Sequence, residues 1–525
     1  MSKWYILIKY ITKVGDEIMT REAWVLTAFV LYTAAVFGLA IVFIRSKNLS
    51  EYFLGGRKLN SWVGALSAQA SDMSGWLLMG LPGAIYLAGT GRAWIAVGLA
   101  IGTACNWLFV AKRLRRYTIT AGNAITLPQY FENRFRDTSH MLKMAAAVFF
   151  AIFFTIYTAS GFRAAGILLT QLFDINYPTG VLIGAVFILI YTFIGGFLAV
   201  SWTDTIQGIM MLLAVMFIPI IAVSVMGGWG SVAAAIDPSM LDMMSDGAGG
   251  RIGIISIISD MAWGLGYFGM PHILVRFMAI KSEKQISRSA VIGIVWVLLA
   301  LCSALMLGIV GRAFVPGLEP GTANSPETIF MQMVERIFLA PGAIIGFPLL
   351  GGLFLCGVFG AAKSTADSQL LVTSSAITGD IYNEINKEAS DRHLVWVSRV
   401  VVLVVAVLAY YMALDLETTV MALVAMAWSG FGSAFGSVVI LSLYWKRINK
   451  TGALLGMVTG GLTVIIWHYV PLIGGQTLGA ATGLYSLVPG FIISFVSVVV
   501  GSLLSAPPVG EIEDEFERAS VPQEG

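Results

Sequence analysis

Long apolar runs, each about the length of a bilayer crossing, alternate along the chain with short polar or Gly/Pro-marked breaks. Read between those breaks, the runs predict thirteen helical crossings, near 24–44, 62–90, 94–111, 144–172, 178–199, 206–226, 252–275, 290–310, 343–380, 395–413, 417–444, 452–470 and 485–504. The stretch 328–340 is too short to span and reads as an amphipathic surface helix. An odd number of crossings puts the termini on opposite sides. The loops at 45–61, 112–143, 276–289, 381–394 and 445–451 hold most of the basic residues. The opposite loops, the N-terminus aside, hold only Arg92, Arg251, Arg312 and Arg336. Positive residues stay inside, so the N-terminus is expected outside and the C-terminus in the cytoplasm.

Lys3, Lys9, Lys13 and Arg21 run against that orientation. MSKWYILIKYITKV is too short and too interrupted to span, and no cleavage site follows a proper apolar core. A start at Met19 would remove the three lysines, so residues 1–23 are read as an extension lying partly upstream of the true start. The remaining chain divides into a first helix and loop (24–61), two groups of five crossings (62–226 and 252–444), two accessory helices (445–504) and an acidic tail (505–525). The tail, GEIEDEFERASVPQEG, reads as a disordered cytoplasmic end.

Composition sharpens the class. Of the 525 residues 57% are hydrophobic and only 12% charged, against about 25% in soluble domains. That excludes a soluble enzyme, a disordered protein and a fibrous one. Lys and Arg total 32 against 30 acids, which gives no argument for nucleic acid. Cys105, Cys302 and Cys356 lie in apolar stretches and form no disulfide or metal pattern. There is no Walker or GxGxxG motif and no Ser/His/Asp order, so an enzyme is not expected and no ATPase subunit or organic cofactor is implied. Active transport by this chain would be ion-driven.

Two crossings are interrupted. In SWVGALSAQASDMSGWLLMGLPGAIYLAG the interruption is Ser71-Asp72-Met73-Ser74-Gly75; in MAWGLGYFGMPHIL it is Gly264, Gly266, Gly269 and Pro271. They open the two five-crossing groups with opposite starting orientation, and broken helices at matched places in inverted halves point to a transporter's central site. Unwound backbone at membrane depth survives only where it lines a cavity. Freed carbonyls and hydroxyls suit a small hard cation, and half-helix N-termini suit a carboxylate. Close helix packing alone would also use these glycines.

At about 100° per residue, Ser364, Thr365 and Ser368 of GVFGAAKSTADSQLL share one face, while Lys363 and Asp367 lie together elsewhere at ion-pair spacing. Mutual pairing is the simpler reading, and a place in the ion pathway the sharper one. Asp204, read at the cytoplasmic end of the fifth crossing, is either a cation ligand or an interfacial residue. Arg163 and Asp260 read as near-interface charges, and His272 as a packing residue.

SDMSGWLLMGLPGA resembles the sodium/solute symporter family, and above all its proline-transporting bacterial branch. The likeness recurs in YFLGGR, TLPQYF, FFTIYTASG, YTFIGGFLAVSWTDT, WGLGYFG, RFMA and STADSQLLVTSSAITGDIY, covering nearly the whole chain from Met19. It implies a five-plus-five inverted repeat of the leucine-transporter type, with one helix before and two after the core. It also implies inward carriage of L-proline with sodium across a prokaryotic plasma membrane. The implied sodium ligands are the carbonyls of Ala70, Met73 and Ala361 and the hydroxyls of Ser364 and Thr365, with Asp72 nearby. Ser74, Gly75, Tyr157, Trp263, Tyr267 and Pro271 match substrate positions, and Arg57, Asp72 and Asp204 match coupling positions. A second sodium near Asp204, Asp367 and Ser368, as in some relatives, is left open. The chain departs from the family at Lys363, usually apolar, and at Met270, where the proline carriers have glutamine. A symporter for another small carboxylate, or a transporter-fold sensor, remains the alternative.

Overall fold

The computed structural model describes residues 20–43, 49–194, 196–320, 325–508 and 510–521. The N-terminal extension up to Met19 lies outside them. Helix boundaries follow local signals. Asn60 caps the helix at Ser61 by accepting from the Val63 N–H, Ser282 caps the one at Glu283, and Thr419 caps the one at Val420.

The helices used below are α1 (Arg21–Phe43), α2 (Ser61–Asp72), α3 (Leu81–Ala88), α4 (Ala93–Cys105), α5 (Ala111–Thr120), α6 (Leu127–Phe135), α7 (Met141–Phe173), α8 (Tyr177–Ile194), α9 (Phe197–Val225) and α10 (Ile254–Met261). They continue as α11 (Pro271–Ala279), α12 (Glu283–Phe314), α13 (Ile329–Val334), α14 (Pro348–Ser375), α15 (Asp391–Ala413), α16 (Val420–Phe431), α17 (Ser437–Tyr444), α18 (Lys450–Tyr469), α19 (Leu487–Leu504) and α20 (Glu511–Ser520). Among the described residues, ten helical stretches are long and apolar enough to cross a bilayer, and Tyr177–Phe193 and Ile254–Gly269 are shorter apolar ones. The protein is a multi-span helical membrane protein. Its lipid-length helices match the expected positions closely, but two expected crossings are not single helices. The run 62–90 is α2 and α3 joined through a break, and 252–275 is α10 and α11 joined through another.

The first break falls at Met73 and Ser74. Met73 leaves the helical region (φ −82°, ψ 65°), its N–H still bonding the Gln69 carbonyl. A wide turn at Trp76–Gly80 then restarts the helix, with Pro82 in the opening turn of α3. The second break falls at Met270, which is extended (φ −79°, ψ 105°) before Pro271 opens α11. Helices α7, α9, α14 and α16 wrap the two breaks, and α14 is buried along most of its length.

Three expectations need correction. The 329–339 segment is helical, but Ile329, Phe330, Met333, Val334 and Ile337 are fully buried; it packs inward against α12 and α14 instead of lying on the surface. The acidic tail is ordered over α20. Phe516 packs beside Tyr117, Arg136 pairs with Glu515 at 2.6 Å, and Arg116 donates to the Ala519 carbonyl at 2.9 Å. Its charges are met by the basic α5 and α6 region, which is distant in sequence. Finally, Asp204 does not end the fifth crossing: the chain breaks at Gly196, and Asp204 lies two turns inside α9, completely buried.

Candidate functional site

The breaks are joined to one another. Tyr267 Oη donates to Asp72 Oδ2 at 2.6 Å, and Asn106 Nδ2 donates to the Tyr267 carbonyl at 3.0 Å. Asp72 Oδ1 is buried without a hydrogen-bond donor among the described residues. The Asp72 carbonyl, freed by the break, accepts from Tyr157 Oη and Trp76 Nε1, both at 3.4 Å.

A cluster of oxygens lies where α2 ends against α14. Ser364 Oγ donates to the Ala70 carbonyl at 2.7 Å and approaches the Ala361 carbonyl at 3.2 Å, and Thr365 Oγ1 reaches the Ala70 carbonyl at 3.4 Å. Four of the five expected cation ligands are therefore linked to one another through the Ser364 hydroxyl and the Ala70 carbonyl. The fifth, Met73, is the first residue of the break itself. All five residues are buried. A carbonyl in the last turn of α2, another inside α14, and two hydroxyls at adjacent positions form a hard, neutral oxygen set, which suits a monovalent cation near a carboxylate.

Asp204 belongs to a second cluster one turn away. Its Oδ2 accepts from Ser67 at 2.8 Å, Ser71 at 3.0 Å and the Arg276 guanidinium at 3.2 Å. Arg276 also donates to Ser368 Oγ at 2.5 Å and to the His272 carbonyl at 2.7 Å. Ser368 and Asp204 thus come together, through Ser71 and Arg276. Asp367 does not join them, because it is turned to Lys363 at 2.6 Å and to Thr192 at 2.6 Å. Arg276 carries the whole cluster yet drew no attention in the sequence, since it stands one residue past the expected crossing.

The aromatic positions assemble around Asp72. Trp263 lies 6.2 Å from Trp76, 6.3 Å from Trp428 and 5.5 Å from Tyr485, the last two nearly parallel. Trp428 Nε1 donates to the Trp263 carbonyl at 2.7 Å and stands edge-on to Tyr267 at 5.1 Å. Tyr157, Trp263 and Tyr267 are therefore brought together. Trp76, Trp428 and Tyr485 complete the wall, and only their buried polar tips would have marked them in apolar runs otherwise rich in aromatics. Gly266 is required here, because a Cβ would stand 2.0 Å from the Trp428 indole nitrogen. Gly75 presses against Ala164 of α7, where a Cβ would come within 2.8 Å. Pro271 lies apart from this wall: it lines a small cavity with Arg276, Ser368, Thr126 and Pro128, between the Asp204 cluster and the 125–128 turn.

Arg57 is remote from all of this. Its guanidinium donates to the carbonyls of Met278 at 2.6 Å and Ala124 at 2.7 Å, tying the end of α11 to the turn after α5. Burial and the neighbouring Arg115 lower its pKa to about 10. Asp260 is buried against Arg92 at 3.0 Å, and Arg163 holds the Asp415 and Leu416 carbonyls.

Residues 52–460 match the model of the sodium:solute symporter family. The chain is 43% identical over 477 residues to the high-affinity proline transporter PutP of Bacillus subtilis, covering 90% of this chain and 96% of that protein. It is 43% identical over 497 residues to the sodium/proline symporter of Escherichia coli, covering 94% and 96%. Among solved structures, a sodium-coupled sialic acid symporter in a substrate-bound outward-open state superposes with a TM-score of 0.69, at 18% identity and covering 92% of this chain and 98% of that one. Mhp1, a nucleobase-cation-symport-1 transporter in a closed conformation, gives 0.53 at 13% identity, covering 91% and 100%. These two share the fold.

Proposed function

The chain belongs to the sodium:solute symporter family, and from that premise we propose that it carries L-proline inward with sodium by alternating access. The observation that carries this reading is the oxygen cluster where α2 breaks against the hydroxyl face of α14, two residues from Asp72. Proline, named for the relatives from Bacillus subtilis and Escherichia coli, and sodium, named for the latter, support the choice of substrate and coupling ion.

Sodium is held by the carbonyls of Ala70, Met73 and Ala361 and the hydroxyls of Ser364 and Thr365. When it enters, the two hydroxyls give up donation to carbonyls and turn their lone pairs to the ion. The ion then bridges the end of α2 to α14, fixing the break and with it Asp72, Ser74 and Gly75. Proline, a zwitterion, meets groups of both signs: N–H groups at the restarted helix for its carboxylate, and the aromatic wall of Tyr157, Trp263 and Tyr267 for its ring and secondary ammonium. Binding is reciprocal, so each ligand raises the other's affinity by one factor. Arg57 and Asp204 act in coupling by tying moving elements together away from the ligands. The membrane is a prokaryotic plasma membrane, with the N-terminus outside and the C-terminus in the cytoplasm.

Proline binding to the purified protein tests this reading. Affinity should rise at least about tenfold when choline is replaced by sodium at constant ionic strength; equal affinity in the two salts would contradict it.

A further inference from the structure

Among the described residues, three acidic side chains are buried around the candidate site, Asp72, Asp204 and Asp367, against two basic partners. Arg276 pairs with Asp204 at 3.2 Å and Lys363 pairs with Asp367 at 2.6 Å. Asp72 makes no ion pair among the described residues and is met by Tyr267. Arg276 is woven into Ser67, Ser368 and the His272 carbonyl as well as Asp204. Lys363 differs: among the described residues its ammonium donates to Asp367 alone, and it lies 3.2 Å from the centroid of the Tyr191 ring.

The surroundings of that ammonium are those of an ion. Asp367 supplies a carboxylate whose other oxygen accepts from Thr192 at 2.6 Å, Tyr191 supplies an aromatic face, and Lys363, Asp367 and Thr192 are all buried. The carboxylate and the π-face meet the ammonium directly, and Thr192 holds the carboxylate from its other oxygen; a free monovalent cation could sit against the same two groups. The pocket lies one residue before Ser364 along α14, and among the described residues no hydrogen bond joins Lys363 or Asp367 to the Ser364 and Thr365 hydroxyls, so the two positions are neighbours without sharing a ligand.

We propose that Lys363 is a tethered cation: its ammonium occupies a monovalent-cation pocket built by Asp367, Thr192 and Tyr191, and so keeps a second ion out of the transport cycle. The assignment rests on the sodium-coupled reading above. It makes Lys363 the residue that sets how many cations this chain requires. With the pocket filled by its own side chain, the charge left for a mobile ion to neutralise is that of Asp72 alone, and one sodium suffices.

The test compares wild type, Lys363→Met and the double variant Lys363→Met/Asp367→Asn. Each is titrated with sodium against choline, reading proline uptake into proteoliposomes and thermal unfolding in detergent. Wild type should follow sodium with a Hill coefficient of about 1. Lys363→Met should recruit sodium to Asp367: the coefficient rises toward about 2, and sodium raises its melting temperature more than that of wild type. The double variant, with no carboxylate to fill, should return to the wild-type curve. A Lys363→Met protein that transports with an unchanged sodium curve overturns the proposal. So does one that fails to fold at every sodium concentration and is recovered only by the double variant, since the pair is then purely structural. A wild type indifferent to sodium defeats the sodium-coupled reading itself, and the assignment with it.

Discussion

At the scale of single residues, the site separates ligands from the groups that hold them. Asp72 joins both breaks through Tyr267 and keeps one oxygen without a donor among the described residues, so Asp72→Ala should reduce sodium-driven uptake to background while the protein still inserts. Wild-type uptake in that variant would remove Asp72 from the mechanism. Thr365 supplies one hydroxyl of five proposed ligands; Thr365→Ala should raise the sodium concentration for half-maximal uptake about tenfold, the equivalent of about 1.4 kcal/mol. Arg276 is predicted to act through Asp204. Arg276→Met leaves a buried carboxylate uncompensated and should cost about 3–5 kcal/mol in unfolding measurements, most of it restored by adding Asp204→Asn. What the sequence made legible here was the hydroxyl face of α14 and the Lys363–Asp367 spacing, because both follow from helical geometry alone. Arg276 was not legible, since a charge just past an apolar run reads as a loop residue until its fold partners, Asp204 and Ser368, are in view.

At the scale of helices, the breaks were the clearest signal in the chain. Hydroxyls, an aspartate and glycines are costly inside a continuous membrane helix, and both breaks fall where those residues stand. Their packing was not legible. Gly266 reads as a helix breaker, yet it remains in a helical turn, and its lack of a side chain is what lets Trp428 reach the Trp263 carbonyl. Gly266→Val should therefore destabilise the fold by about 1–3 kcal/mol and weaken proline binding; equal stability and affinity in thermal unfolding and binding assays would show that the wall does not depend on that approach. The 329–339 helix shows the opposite error. Too short to span, it reads as a surface helix, but burial by α12 and α14 is set by contacts that length and periodicity cannot reveal.

At the scale of the whole molecule, polar ties between distant segments close the end that carries α5, α6 and α20. Arg116 grips Glu283 at 2.7 Å and the Ala519 carbonyl, and Lys450 at the start of α18 grips Asp137 at 2.7 Å. Burial would raise the Asp137 pKa, but hydrogen bonds from Lys450, Ser139 and the Leu142 and Ser139 N–H groups outweigh it and hold the value at about 2. A carboxylate held below its ordinary value stabilises the fold fully above about pH 4, and that contribution is lost as pH falls toward 2. Asp137→Asn should accordingly lower stability at neutral pH and flatten its acid-side slope, read from melting temperatures between about pH 2 and 6. The docking of α20 belongs to the same scale: an acidic tail reads as solvated until the arginines of α5 and α6 are brought beside it. That a sodium ion bound where the broken helix α2 meets α14 drives proline inward is tested most sharply by labelled proline uptake into proteoliposomes with and without an inward sodium gradient. Proline should accumulate above equilibrium only while the gradient lasts. Accumulation in sodium-free medium, or none under either condition, would overturn that coupling.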